Sequence, residues 1–203
     1  MSIIPEPAAS VPNPEMSRLE LDALEGIVRT RRTNLVMDRS REVDQDLVVR
    51  LCELIVCAPN HKRTWPWLIA IVSSDGRARL GRASAHDLEA LGMNDQARLE
   101  KTREKYLRSP IVVAVGQQPE VDPHRAGEDR DAVAAGIQNF LLGATAAGLA
   151  SYWGSAADPT GAHTLDVCGF EVGSRISALI YLGWPLDQAT VRERPSLDIG
   201  LVD

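Results

Sequence analysis

The sequence lacks several features that would assign a function at once. Its 203 residues include only three cysteines, an odd and sparse set that makes a disulfide framework improbable. No cysteine or histidine pair has the spacing of zinc ligands, so no metal site is predicted. Rossmann, P-loop and nucleophile-elbow motifs are also missing from the sequence. An enzyme with this sequence would therefore take its reactive atom from a cofactor.

Positive charge and long apolar runs are also scarce. The formal net charge is -6, whereas proteins that bind nucleic acid usually carry a basic excess on the binding face. No stretch approaches the roughly 20 apolar residues that are needed to cross a bilayer. The first residues lack the basic segment and apolar run of a secretory signal. We therefore expect a cytoplasmic protein that has neither nucleic acid nor a membrane as a partner.

The composition that remains is typical of one folded domain. Hydrophobic residues make up 44% of the chain and charged residues 25%, as in ordinary globular proteins. Four prolines within the first 14 positions predict a flexible arm over residues 1–16. The folded domain is then expected over 17–203, and Ser17 with Glu20 fits a capping box at its first helix.

Hydrophobic periodicity predicts an alternation of helices and strands. Helices are predicted over 17–30, 44–58 and 131–149, with one or two more in 77–107. Short apolar runs predict buried strands at 67–72, 110–115 and 176–182, the first of them ending in a turn at 73–76. Residues 116–130 are predicted to be an exposed loop. The helix over 131–149 is apolar on all sides and should be central. The pattern favours one α/β-type domain, but periodicity does not fix the strand order.

Two clusters in the first third of the chain suggest a ligand site. The basic run 29–33 would suit a phosphate, because guanidinium groups form several charge-assisted hydrogen bonds with one dianion. Taken alone, it is better explained as cations that complement a helix dipole. The second cluster, 58–62, precedes Trp65-Pro66-Trp67 and falls in a loop before a buried strand. It is either solvated surface or, with its two tryptophans, the wall of an aromatic site.

Two further clusters lie later in the chain. Residues 148–154 carry Tyr152 and Trp153 just after the apolar helix, and core packing and a ligand wall explain them about equally well. The run from Arg192 to Pro195 is, in isolation, a charged tail.

In this order, the clusters resemble the nitroreductase family. Members typically have a first helix that ends in Arg-Arg-Ser, an Ala-Pro segment that leads to Pro-Trp, an Ala-rich helix with Gln-Asn, and a last strand that ends in Leu-Gly-Tyr/Trp-Pro. The matching residues here are Arg31-Arg32-Thr33, Ala58-Pro59-Asn60-His61-Lys62 with Pro66-Trp67, Gln138-Asn139, and Leu182-Gly183-Trp184-Pro185. The His-Lys pair is similar to that of a compact bacterial branch of small FMN reductases. The resemblance covers about residues 19–200.

The resemblance implies an α+β fold with a mixed central sheet flanked by helices in a single domain. It also implies an intertwined homodimer with FMN at the subunit interface and NADH or NADPH as the electron donor. The expected activity is electron transfer through the flavin to a nitroaromatic, quinone or other organic acceptor by a ping-pong mechanism. No side chain is expected to be catalytic, because the flavin N5 is the reacting atom.

The resemblance also assigns roles to particular residues. The FMN phosphate and ribityl chain would be held by Arg31, Arg32 and Thr33, with a further phosphate contact from Arg192 or Arg194. The partner's flavin would be reached by His61, with Lys62. The isoalloxazine edge would be lined by Tyr152, Trp153 and Gly154. Three residues depart from the family pattern: Leu35 stands where relatives often carry arginine, Trp65 reshapes the substrate pocket, and Cys57 replaces an arginine of the similar branch.

Other functions fit the same residues. An FMN-binding protein without turnover, acting as a store or sensor, would bind the flavin but would not be reduced by a nicotinamide nucleotide. A dimer with a degenerate pocket would not bind FMN, and Leu35 and Trp65 would be its signs. A third alternative keeps the flavin but changes the reaction to dehalogenation or to oxidation of an unsaturated substrate.

Overall fold

A computed structural model describes residues 14–187, 190 and 193–202, and it has helices on both faces of one four-stranded sheet. The strands are β1 (Trp67–Ser73), β2 (Ile111–Gln117), β3 (Ala150–Gly154) and β4 (Arg175–Gly183), in the order β1-β2-β4-β3. All three strand pairings are antiparallel. The expected mixed sheet is thus corrected to an antiparallel one for the described strands. A single parallel bridge joins Thr33 to Ser151 at the free edge of β3.

Six α-helices surround this sheet in the described part of the chain. They are α1 (Pro14–Thr30), α2 (Gln45–Glu53), α3 (Ser74–Ala90), α4 (Gln96–Glu104), α5 (Pro123–Ala146) and α6 (Ala162–Cys168). Short 3-10 turns lie at Ile55–Cys57, His61–Arg63 and Lys105–Arg108. No helix of the described residues combines the length and the apolarity that crossing a bilayer needs.

The sheet separates two hydrophobic cores. Because successive side chains of a strand point to opposite faces, Val113 and Val115 of β2 pack with α2 and α5. Val112 and Ala114 pack on the other side with Leu80 of α3 and its neighbours. Every residue of β2 is buried. This two-sided burial explains why the strand appears in the sequence as a continuous apolar run rather than an alternating one.

Helix α5 is central, as predicted, but it is longer than the periodicity indicates. It begins at Pro123, so the loop expected over 116–130 is wrong for its second half. Proline is favoured at the first helical position, and the Asp122 side chain accepts a hydrogen bond from His124 N at 2.9 Å. Of the prolines that suggested a loop, Pro123 is therefore the first residue of a helix.

Three other boundaries also differ. Helix α1 already begins at Pro14, so Ser17 lies inside it and the capping box is wrong. Helix α3 follows β1 without the turn expected at 73–76. Helix α6 has seven residues, too few for a recognisable period, and the sequence did not predict it. Residues 1–13 of the expected arm lie outside the described residues.

Candidate functional site

Two arginines that are far apart in the sequence meet beyond the end of α1. Arg31 is half-buried, and its pKa is lowered by that burial and then by the positive charges of Arg194 and Arg32. Arg31 and Arg194 line one depression, together with the α1 side chains Leu24 and Val28. Positive charges at close range repel one another, and an anion bound between them would offset this repulsion.

Arg32 has a different environment from Arg31. Its Nη1 donates hydrogen bonds to the carbonyl oxygens of Arg29, at 2.5 Å, and of Arg31, at 2.8 Å. These contacts satisfy carbonyl groups at the C-terminal end of α1, as cations commonly do there. The Nε of Arg32 is buried, and no acceptor for it exists among the described residues.

Thr33 connects this basic end to the edge strand β3. It forms the parallel bridge with Ser151, and the next residue, Asn34, donates its backbone N–H to Ser151 O at 2.9 Å. The chain therefore runs from the arginines directly along β3. Residues that are about 120 positions apart in the sequence are brought together in this way.

The three β3 residues of the predicted site do not share one face. Tyr152 and Gly154 line a cavity of about 700 Å³, and the Tyr152 ring meets Tyr181 edge-on, with centroids 5.5 Å apart. A Cβ on Gly154 would lie 3.0 Å from the Tyr181 ring. Trp153 does not line this cavity, because neighbouring residues of a strand point to opposite faces, and its Nε1 donates to Ser177 O at 3.2 Å.

The loop after Ala58 is held in an uncommon backbone conformation. Lys62, Arg63 and Trp65 have φ angles of 57°, 54° and 52°, values that residues other than glycine rarely adopt. Asn60 stabilises the loop, because its Oδ1 accepts the backbone N–H of Trp65 at 2.9 Å and its Nδ2 donates to Thr64 Oγ1 at the same distance. Such local strain often occurs at functional sites.

His61 and Trp65 are exposed on this loop. The Nδ1 of His61 lies 2.7 Å from Glu128 Oε1, and this hydrogen bond is the main cause that lowers the pKa of Glu128. Trp65 is 57% exposed and its ring centroid is 6.0 Å from that of Trp67. Neither residue lines the cavity beside Tyr152 within one chain. Their assigned contacts with a partner's flavin remain predictions.

The structure describes one of the two predicted tail arginines, and it also places Leu35. Arg194 lies beside Arg31, as described, whereas Arg192 lies outside the described residues. Leu35, the departure from the family pattern, lines the cavity next to Tyr152 and Gly154. An apolar side chain therefore stands at that position, and residue 35 contributes no cation there.

The fold also brings together residues that spacing could not connect. His86, Asp87 and His163 offer ligand atoms that all lie within 4.8 Å of one another, although no metal site was predicted. Both Asp87 oxygens already accept hydrogen bonds at the start of α6, from His163 N and Nδ1 and from Thr164 N and Oγ1. The carboxylate therefore acts primarily as a helix cap.

The sequence interpretation missed a second set of residues at the cavity. Four cations of α4 and the turn after it line the cavity opposite Tyr152. Their spacing of three, four and three residues was visible in the sequence, but a charged stripe on a helix usually faces solvent. The cations are Arg98, Lys101, Lys105 and Arg108.

Comparison with known proteins identifies the family. The model of the nitroreductase family matches residues 28–184. YfhC of Bacillus subtilis (strain 168), named as a candidate NAD(P)H nitroreductase, is 25% identical over 173 residues, which cover 84% of this chain and 89% of that protein. The fold is similar to a nitroreductase-like family protein from Bacillus cereus, with TM-score 0.75, 22% identity, and 87% of this chain and 95% of that one covered.

A nitroreductase from Bacteroides fragilis NCTC 9343, solved with bound FMN, is also similar in fold. Its TM-score is 0.70 at 19% identity, with 89% of this chain and 98% of that one covered. The chain belongs to the nitroreductase family. The predicted family and α+β architecture are therefore confirmed, and with the family the expectation of an oxidoreductase.

Proposed function

We propose that the protein is a homodimeric FMN-dependent oxidoreductase that passes electrons from NADH or NADPH to a nitroaromatic, quinone or other organic acceptor. The observation that carries this proposal is that Arg31 and Arg194 share one depression, and that Thr33 joins this end of α1 to β3, whose Tyr152 and Gly154 line a cavity. Family membership supplies the oxidoreductase class. The FMN-bound relative from Bacteroides fragilis supports the choice of flavin.

The residues at this convergence suit the phosphate of FMN. Arg31 and Arg194 are close enough to lower the pKa of Arg31, after the effect of burial. The buried Nε of Arg32 has no acceptor among the described residues. A phosphate dianion would satisfy that N–H and relieve the repulsion between the guanidinium groups, because charge-assisted hydrogen bonds to phosphate are strong and multidentate.

Each residue has a distinct task in this proposal. Arg31 and Arg194 would bind the phosphate, and the exposed Thr33 hydroxyl would contact the phosphate or ribityl chain. Gly154 and Tyr152 would form the wall for the ring, where a larger side chain at 154 has no room. When bound, FMN supplies two-electron chemistry that no side chain of this protein offers.

A partner subunit would complete the cleft. In one chain, His61, Lys62 and Trp65 are exposed and do not line the cavity, yet their loop has a defined conformation held by Asn60. An exposed loop that is held in an uncommon, hydrogen-bonded conformation suits contacts across an interface. On this proposal, His61 and Lys62 reach the flavin bound by the other subunit, and Trp65 limits the acceptor pocket.

The donor and the acceptor would use the cavity in turn. Both would react at the one flavin ring that Tyr152 and Gly154 would hold, and the open cavity beside these residues is about 700 Å³, within the size range of small-ligand pockets. We therefore favour a ping-pong order in which the oxidised nucleotide leaves before the acceptor enters.

The absorption spectrum of the purified protein tests the proposal. We expect yellow protein, or protein that becomes yellow with added FMN, and bleaching by NADH or NADPH without oxygen. Recovery of the colour on addition of a nitroaromatic or a quinone would show turnover. Protein that binds FMN but is not bleached by either nucleotide would instead be a flavin store or sensor. Protein that does not bind FMN would contradict both functions.

A further inference from the structure

One face of the segment from α4 into the following 3-10 turn carries four cations. They are spaced three, four and three residues apart, so that neighbours lie above one another on a helix. All four line the cavity beside Tyr152 and Gly154. This set, hereafter the basic stripe, consists of Arg98, Lys101, Lys105 and Arg108.

A fifth cation of this segment, on another face of the helix, does form ion pairs. Arg103, which does not line the cavity, binds Glu89 at 2.8 Å and Glu100 at 3.0 Å. In the described ranges, no ion pair involves any residue of the basic stripe. The fold thus pairs Arg103 with two carboxylates and leaves the four cavity-lining cations without an ion pair among the described residues.

The two carboxylates in the cavity wall are already occupied. Asp95 caps α4 by accepting the backbone N–H of Arg98 at 3.1 Å. Asp87 accepts the backbone N–H groups of His163 and Thr164 at the start of α6. Each negative charge is therefore partly offset by a helix N-terminus. Four cations and only these two carboxylates, both already hydrogen-bonded, line the cavity in the described part of the chain.

One cation of the stripe, Lys105, is partly buried beside like charges. The pKa of Lys105 is lowered, mainly by burial and then by the charges of Arg108 and Arg98. Its Nζ lies 4.7 Å from the centroid of the Tyr106 ring, a contact with no full negative charge. An anion in the cavity would remove this repulsion and gain several charge-assisted contacts at once.

The opposite wall has a different character. Leu35, Tyr152 and Tyr181 present apolar and aromatic surface to the same cavity. Such a combination suits a ligand with a flat apolar body and one charged end, because the walls bind the body while a few polar groups fix its orientation.

We propose that this cavity binds a reactant with an anionic group, a carboxylate or a phosphate, which the basic stripe holds while the apolar part lies between the stripe and the flavin that Tyr152 and Gly154 would hold. This inference rests on the proposed oxidoreductase function, since it names the substrate class of the same site. Two sources carry the required charge: an aromatic acid as the electron acceptor, and the phosphates of the nicotinamide nucleotide.

Binding of two matched analogues provides the test. Calorimetry on the purified flavoprotein compares 4-nitrobenzoate with 4-nitrobenzamide, which differ chiefly in charge. We expect the acid to bind about tenfold more tightly at low salt, and the preference to shrink as salt rises, since screening weakens exposed charge pairs. The proposal would be overturned by equal affinity for the two compounds together with a nucleotide Kd that does not change when cations of the stripe are substituted.

Single substitutions then locate the anion and its source. Lys101→Gln and Lys105→Gln each remove one charge of the stripe, and we expect each to weaken the anionic ligand by about tenfold, the loss of one charge-assisted contact. Arg103→Gln is the matched control, because it removes a cation from the other face of the same helix. A rise in Kd for 4-nitrobenzoate alone assigns the stripe to the acceptor, and a rise for NADPH or NADH assigns it to the donor. If Arg103→Gln has the same effect as the stripe variants, long-range charge rather than the stripe is responsible.

The outcomes distinguish the proposed oxidoreductase function from the proposal of an anionic reactant. Protein that does not bind FMN would end the proposed function, whatever the analogues do. Yellow, reducible protein that does not distinguish the acid from the amide, and whose nucleotide affinity is unchanged in the stripe variants, would leave that function intact and end only the assignment of an anionic reactant.

Discussion

Arg31 and Arg32 are neighbours with different tasks. Arg32 donates to two backbone carbonyl groups at the end of α1, so part of its contribution is to the stability of the helix end. Among the residues that the structure describes, the Arg31 side chain forms no such hydrogen bond, and it shares a depression with Arg194. The sequence shows only a run of basic residues, whereas the structure places Arg32 at the helix end, with its buried Nε–H left free by the described residues to bind a phosphate, and Arg31 beside Arg194.

Arg31→Gln should weaken FMN binding without unfolding the protein. Loss of a charged hydrogen bond to phosphate costs about 1.5–3 kcal/mol, or roughly 10- to 150-fold in Kd. Titration followed by flavin fluorescence measures the change. Arg18→Gln is the control, because that arginine is exposed on the same helix and does not line the depression that contains Arg31 and Arg194. Equal affinity in the native protein and the Arg31 variant would remove Arg31 from the phosphate site.

Asp87 is the most heavily bonded buried carboxylate of the cavity wall. It is 5% exposed and accepts four hydrogen bonds from His163 and Thr164. Burial raises the pKa of Asp87. The hydrogen bonds together lower it by more than burial raises it, so the pKa lies below the usual value. A depressed pKa in the folded state stabilises the protein above the unfolded pKa of about 4 and loses that effect as pH falls.

Asp87→Asn should therefore destabilise the protein in a pH-dependent way. At pH 7 we expect a loss of about 1–3 kcal/mol, because an amide nitrogen would face backbone N–H groups. The difference from the native protein should begin to shrink as the pH falls below about 4, the pKa of the unfolded carboxyl, and should be smallest below the lowered pKa of the folded carboxyl. Urea unfolding at several pH values tests this, with the exposed Asp131→Asn as control. A difference that is the same at pH 7 and at low pH would contradict the assigned role.

At the scale of elements, the sequence predicts the cores better than the ends of helices. The strands β1, β2 and β4 were placed within two residues at each end, because burial on both faces leaves a continuous apolar run. The first turns of α5 were missed because Pro123 was interpreted as a loop residue, when Asp122 and Pro123 together start a helix. Local signals of this kind have two structural meanings until the neighbouring elements are known.

The candidate site was predictable only in part, because its residues come together only through elements that are distant in the sequence. Arg31 and Tyr152 were singled out because their motifs resemble a family, although nothing local brings them together. The basic stripe was overlooked, since Lys101 and Lys105 differ from solvated lysines only through the wall opposite them. That wall comes from β3, about 50 residues further along the chain.

Gly136→Ala tests how closely α5 packs on the first core. A Cβ at residue 136 would lie 2.5 Å from the carbonyl oxygen of Ile55 and 3.1 Å from Trp67 Nε1. Because backbone must move to make room, we expect a loss of about 1–3 kcal/mol in the free energy of unfolding. Gly127→Ala in the same helix meets nothing within 4 Å and should be neutral or stabilise by up to about 1 kcal/mol. Equal thermal stability of the two variants would contradict the close packing at Gly136.

At the scale of the whole molecule, α1 carries an apolar stripe that residues 17–187, 190 and 193–202 of its own chain leave exposed. Leu21, Leu24 and Val28 recur at helical spacing and are 60%, 49% and 46% exposed. Exposed apolar patches of this kind usually mark an interface. The same three side chains line the depression that contains Arg31 and Arg194. A subunit that covers the stripe would therefore also close one side of the proposed phosphate site.

This continuity predicts that dimerisation and flavin binding are lost together. The double substitution Leu24→Glu and Val28→Glu buries two carboxylates in the proposed interface, which is strongly unfavourable without partners. Light scattering after size-exclusion chromatography should show a fall from twice 22.1 kDa to that single-chain mass, and FMN should dissociate. Val172→Glu, at a residue that is 81% exposed outside the stripe, should leave both properties unchanged. A monomeric double variant that still holds FMN tightly would show that one chain forms the whole cofactor site, because closure by the partner would then contribute nothing to binding.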